Sequence, residues 1–201
     1  MRSRARCAGR VYLLAVQISF AATAPSPREM VQRTVDQVLA TLRDPQFKSA
    51  AERRRQLRDI IEERFDFGEM ARRSLGRHWR STTPAQQNEF VEAFREILID
   101  SYRTTIESYR GEKVKYLRER IDNGYAAVDT LIVDERGQEY SVNYRLHRVG
   151  AQWRIYDVVI EGVSLVGNYR SQFDRVIRRD SFEELLRRMR RNQVDAPAAA
   201  K

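Results

Sequence analysis

The chain has 201 residues, 42% of them hydrophobic and 32% charged, which suits one globular domain with a real core. With 9 Gly and 5 Pro it is not a low-complexity chain, and a single cysteine excludes a disulfide framework or a cysteine-rich metal site. A formal charge of +9 and a pI near 10.0 raise nucleic acid as a partner, a reading that the charge pattern then argues against.

Residues 1–24 read as a signal peptide rather than folded structure. Arg2, Arg4, Arg6 and Arg10 precede an apolar stretch, Val11 to Ala22, and Ala22-Thr23-Ala24 is an A-x-A cleavage site. Pro25 is awkward after that site, so cleavage after Ala21 is an alternative. The apolar stretch falls short of the roughly 20 residues that span a bilayer. A membrane-tethered helix is the competing reading. Cleavage takes Cys7 and four arginines with it, so +9 becomes +5. Export argues against nucleic acid, as does the mixing of signs in Glu62-Glu63-Arg64 and Arg118-Glu119-Arg120. The remaining positive charge favours approach to anionic lipid surfaces.

Ser26-Pro27-Arg28-Glu29 is a capping box with proline at the first helical position. Met30, Val31, Val35, Val38, Leu39 and Leu42 follow on one stripe, to near Asp44-Pro45. A second helix is predicted from about Phe47 to Phe65, with Leu57, Ile60, Ile61 and Phe65 inward and Arg53-Arg54-Arg55 outward. Asp66-Phe67-Gly68-Glu69 opens a third, in which Met70, Ala71 and Leu75 bury and Gly76 ends the helix. Thr83-Pro84-Ala85-Gln86 starts the longest apolar stripe: Phe90, Phe94, Ile97, Leu98, Tyr102 and Ile106, to about Tyr109 before Gly111.

Beyond Gly111 the apolar period changes from 3.6 to 2. Lys113 to Ile121 alternates weakly, with Val114, Tyr116 and Arg118 opposite Lys115, Leu117 and Glu119. Asp122-Asn123-Gly124 turns the chain into Tyr125 to Val133, and Asp134 to Gly137 turns it again. From Glu139 to Val149, Tyr140, Val142, Tyr144 and Leu146 share one face, with Ser141, Asn143, Arg145 and His147 on the other. Gly150-Ala151 leads into Gln152 to Glu161. Helices followed by a four-stranded antiparallel meander make an α+β fold. The apolar run Val158-Val159-Ile160 then breaks at Gly162 and restarts as a helix at Ser164, with Leu165, Tyr169, Phe173 and Val176 on one face. Ser181-Phe182-Glu183-Glu184 boxes a last helix that buries Leu185, Leu186 and Met189, and 194–201 reads as a disordered tail.

Little in this pattern does chemistry. The only histidines are His78 and His147, too few for a metal site. Gly162-Val163-Ser164-Leu165-Val166 resembles a nucleophile elbow but ends in valine instead of glycine, so Ser164 is better read as a helix cap. Asp157 and Glu161 share a strand face by spacing, as a glycosidase pair would, in a chain where acids are common. No glycine-rich phosphate loop is present. No catalytic or metal-ligating residue is expected.

Several ordered motifs resemble the MlaC family of periplasmic phospholipid-binding proteins, also known as toluene-tolerance auxiliary transport components. They are Phe65-Asp66-Phe67-Gly68-Glu69-Met70-Ala71, Leu75-Gly76-Arg77-His78-Trp79, Thr83-Pro84 and Phe90 to Phe94. Tyr109-Arg110-Gly111-Glu112-Lys113-Val114, Trp153 with Tyr156-Asp157-Val158, and Glu161 through Phe173 continue the pattern. The similarity spans roughly Met30 to Met189 within a lipid-binding domain expected over 25–193; Gly68 departs from it, being smaller than the residue usual there. The resemblance implies a carrier that shuttles phospholipid between the membranes and maintains outer-membrane lipid asymmetry. Its partners would be an outer-membrane lipoprotein–porin complex and an inner-membrane ABC transporter with an MCE-domain subunit. It implies no cofactor, only phospholipid as cargo.

Burying one methylene is worth about 0.8 kcal/mol, so two chains of ~15 methylenes represent roughly 24 kcal/mol that a carrier must match. Face and spacing suggest that sheet and helices enclose an apolar lipid cavity walled by Phe94, Leu98, Tyr102, Val142, Tyr144, Val158, Val163, Leu165, Val166 and Tyr169; the alternative is a non-catalytic periplasmic adaptor in which the same residues form a packed core. Ala126, Ala127 and Gly162 would leave room, and Arg145 or Arg170 would reach a phosphate unless they are simply surface arginines.

Overall fold

The computed structural model describes residues 24–47, 49–109, 112–191 and 193–194. The expected signal segment through Thr23, the glycine at 111 and the tail from Asp195 lie outside them. The helical part comprises α1 (Pro27–Arg43), α2 (Ala50–Arg64), α3 (Phe67–Leu75), a 3-10 segment (Gly76–Ser81) and α4 (Pro84–Glu107). Then follow β1 (Lys113–Asp122), β2 (Tyr125–Val133), β3 (Glu139–Val149), β4 (Gln152–Ile160) and β5 (Val163–Ser164), and finally α5 (Leu165–Arg179) and α6 (Phe182–Arg190).

Local chemistry sets the helix ends. Ser26 and Thr83 both form reciprocal capping boxes, with Glu29 and Gln86, and each precedes a proline at the first turn. Asp66 caps α3 from one side only: its Oδ1 accepts the Glu69 amide at 2.8 Å. The Glu69 carboxylate does not return the bond: the Asp66 amide donates to the Ile155 carbonyl at 2.8 Å, and Arg72 and Arg73 hold Glu69 at 2.7 Å. Gly76 ends α3 at φ +57, a backbone conformation that costs an L side chain energy.

The sheet is antiparallel in the order β1-β2-β3-β4-β5, the expected meander extended by a fifth strand of two residues. Asn123 (φ +44) and Gly124 (φ +79) make the tight β1–β2 hairpin. Two bulges alter the alternation read from sequence. Tyr116 pairs with Thr130 but Arg118 pairs with Asp129, leaving Leu117 as the extra residue. Arg118 therefore moves to the face opposite Tyr116, and Glu119 takes the Tyr116 side. A second shift makes Tyr156 the extra residue between Ile155 and Asp157, opposite Leu146 and Arg145.

The interior divides in two. A helical cluster gathers Phe67, Met70 and Leu75 of α3, Phe90, Phe94, Ile97 and Leu98 of α4, and the apolar faces of α5 and α6. A sheet cluster joins Met30 and Val31 of α1 to Ala126, Val128, Val142, Leu146, Ile155 and Val158, with Leu165 at the start of α5. Phe65 and Tyr102 are the partly buried hydrophobics packed against both. A domain of this size usually has one contiguous core, so the division is informative.

Candidate functional site: the seam between sheet and helices

The seam runs where the second half of α4 passes the inner face of the sheet. Leu98 is the last fully buried residue of α4; Tyr102 and Ile106, one and two turns on, are only half-buried. The apolar stripe of α1 loosens in the same way, with Val35, Val38, Leu39 and Leu42 half-covered. On the sheet, Val142 pairs with Thr130 and Ile160, and Tyr144 pairs with Val128 and Val158, which puts these side chains on one face.

Tyrosines mark this seam. Tyr102, Tyr116 and Tyr144 have hydroxyls whose ionisation is pushed upward chiefly by removal from water, Tyr144 to about 12. The buried Tyr102 and Tyr116 hydroxyls make no hydrogen bond, and that of Tyr169 faces Ser101 without one of normal geometry. A proton held to higher pH in the folded state stabilises fully below about pH 10, the ordinary tyrosine value, and that contribution is lost as pH rises. For Tyr144 the loss spans from there to about pH 12 and amounts to about 3 kcal/mol. Urea midpoints between pH 9 and 12 should therefore fall more steeply for the parent protein than for Tyr144→Phe. Parallel slopes would show that Tyr144 is not shielded.

The expected wall residues separate by cluster. Phe94, Leu98, Val166 and Tyr169 belong to the helical cluster, and Val142, Val158 and Leu165 to the sheet cluster. Tyr102 touches both, and Tyr144 packs on the sheet side. Val163 stands apart: it lies 40% exposed on β5, because Glu161 (φ +48) and Gly162 (φ +78) turn the chain outward just before it. Of the expected room-making residues only Ala126 lies on the inner face. Ala127 pairs with Arg120 and Arg145 on the other face, and Gly162 serves the turn. Neither candidate phosphate-binding arginine reaches the seam. Arg145 donates to Asp157 at 3.0 Å, and Arg170 Nε donates to the Arg73 carbonyl at 2.8 Å.

Sequence reasoning missed Phe65 and Tyr116 as seam residues. Phe65 is pinned by a parallel bridge to Ile155, with the Asp66 amide on the Ile155 carbonyl at 2.8 Å. Tyr116 shares the alternating face of Val114, and that was its one visible signal.

Two clefts lie along α2. One of about 340 Å³ is lined by Asp44, Phe47, Glu52, Arg55 and Asp59 beside α2. The other, about 90 Å³, lies between α2 and the last turns of α4 and is floored by Leu57, Ile61, Ile99 and Ile106.

Reactive groups elsewhere are tied into the frame. Ser164 caps α5, accepting the Gly167 amide at 2.9 Å and donating to Asp157 Oδ2 at 2.6 Å. His78 bonds Asp174 at 2.8 Å and His147 bonds Asp66 at 2.9 Å, so neither histidine pairs with Ser164. Asp157 is buried under the start of α5, whereas Glu161 lies in the turn and accepts the Ser141 amide, so the two do not form a carboxylate pair. Among the described residues, no group of three or more His, Cys, Asp or Glu is placed to hold a metal ion. No described helix is long and apolar enough to cross a membrane.

The family model of the MlaC protein matches residues 32–191. The chain belongs to the MlaC family. Among curated relatives, this MlaC-family chain is 25% identical over 177 residues to the toluene tolerance protein ttg2D of Pseudomonas putida, covering 86% of the chain and 82% of that protein. It is 23% identical over 123 residues to the intermembrane phospholipid transport system binding protein MlaC of Haemophilus influenzae, covering 59% and 58% of the two. Among solved structures it resembles a phospholipid-binding protein from Ralstonia solanacearum in complex with a phospholipid. The TM-score is 0.73 at 29% identity, over 81% of this chain and 94% of that one.

Proposed function

We propose that this MlaC-family protein is a non-catalytic periplasmic phospholipid carrier. The observation that carries the reading is the shared fold with a protein held in complex with a phospholipid, over 94% of that protein's length. The divided interior supports it. A fully merged core would have to be dismantled to admit acyl chains, whereas two clusters bridged by Phe65 and Tyr102 can part along an existing line. Parting exposes apolar surface that the tails cover again, and burial against the seam then matches the roughly 24 kcal/mol that the tails would lose in water.

In this reading the tails lie against Tyr102, Tyr144, Val142, Val158 and Leu165, backed by Phe94, Leu98, Val166 and Tyr169. The signal segment is removed after Ala24 or Ala21, and the mature chain works between the two membranes. It collects lipid from an outer-membrane lipoprotein–porin complex and delivers it to an inner-membrane ABC transporter with an MCE-domain subunit, or runs in reverse, sustaining lipid asymmetry. It needs no cofactor.

Native mass spectrometry of the freshly purified mature chain should show a bound diacyl phospholipid. Protein that is lipid-free after mild extraction, and that also takes none from liposomes, would refute the carrier.

A further inference from the structure

Of the three buried phenol hydroxyls without a hydrogen bond among the described residues, those of Tyr102 and Tyr116 come one from a helix and one from the sheet. Tyr102 projects from α4 and packs against both clusters, while Tyr116 projects from β1 against the sheet cluster. Both oxygens are buried and make no hydrogen bond. A buried donor left unpaired is costly, and most such groups in proteins are satisfied. Acyl chains offer no acceptor. A trapped water needs two to four polar partners, and beside the Tyr102 hydroxyl stands just one further polar group of this kind, the Tyr169 phenol, itself without a hydrogen bond.

The electrostatics narrow the acceptor. Charges of both signs act on the Tyr116 phenol, Asp36 on α1 against Arg28, so no net positive charge gathers there for a phosphate. Arg28, whose guanidinium lies 5.9 Å from the Tyr116 ring centre, is engaged with the Tyr116 carbonyl. A neutral acceptor at the border of apolar space is what remains. In a diacyl phospholipid that is the ester carbonyl, which sits between tails and head group.

Resting on the carrier reading, we infer that Tyr102 and Tyr116 donate hydrogen bonds to the acyl ester carbonyls of the bound lipid and so select ester-linked over ether-linked phospholipids. The hydroxyls set how deep the cargo seats, since the carbonyls mark one fixed level along the lipid. Head-group identity is left unread.

The mature chain is incubated with liposomes containing equal amounts of dioleoyl phosphatidylglycerol and its dialkyl ether analogue. Native mass spectrometry then reads the ratio of the two complexes within one sample, so differences in stability or total loading cancel. The parent should favour the ester lipid about tenfold. Tyr102→Phe and Tyr116→Phe should each reduce that preference, and the double variant should bring it near one. Thermal melts should find the variants as stable as the parent, because each loses only an unpaired hydroxyl. A parent ratio near one overturns the inference and leaves the carrier standing. A preference that survives in the double variant also overturns it. Uptake of neither lipid takes down both readings. Should a variant fail to fold, the parent ratio still decides whether the carbonyls are sensed.

Discussion

Asp157→Ala should lower the unfolding free energy by about 2–4 kcal/mol, the cost of leaving a buried amide and a hydroxyl without their acceptor. The Asp157 side chain is 3% exposed and ties three elements together. Its Oδ1 accepts the Val166 amide at 3.1 Å in the first turn of α5, where a carboxylate also complements the helix dipole. Its Oδ2 accepts the Ser164 hydroxyl at 2.6 Å and the Arg145 guanidinium at 3.0 Å from β3. Alanine leaves the buried amide and the hydroxyl without an acceptor and frees Arg145, whose own side chain is half-exposed and rehydrates cheaply. Asp157→Asn keeps the volume and one acceptor, so it should cost clearly less. Urea unfolding of the three proteins measures both steps. A loss under about 1 kcal/mol for alanine would mean that α5 is anchored by packing alone.

Phe94→Ala should cost about 3–5 kcal/mol, through lost burial and the cavity left behind. Phe94 is fully buried, with ring centres of Tyr169 at 5.1 Å and Phe173 at 5.5 Å meeting it edge-on and Phe90 at 5.9 Å stacked. Three rings held by two helices cannot close around a missing phenyl without shifting α4 against α5. Phe94→Leu should recover much of the loss. If denaturation showed Phe94→Ala within about 1.5 kcal/mol of the parent, the helical cluster would be looser than its ring geometry says.

Most elements were legible because their causes are local. Ser26 and Thr83 with their prolines mark helix starts within four residues, and the 122–124 turn marks a hairpin regardless of what surrounds it. The family motifs were legible for the same reason, as runs of adjacent residues. Errors fall where a distant partner decides. Arg118 was put on the Tyr116 face because alternation was counted straight through Leu117, and only pairing with β2 reveals the bulge. Val163 was given to the pocket as one more apolar residue, although the turn at Glu161-Gly162 carries it outside.

By itself the sequence determined an α+β chain, its order of helices and strands, and a surplus of aromatic residues on α4, since these depend on short-range periodicity and capping. Tertiary structure alone decided that the apolar residues form two clusters instead of one, and that Tyr102 and Tyr116 lose both water and partners. Those properties arise from elements far apart in the chain packing together, and desolvation is a property of the assembled surroundings that no single segment carries.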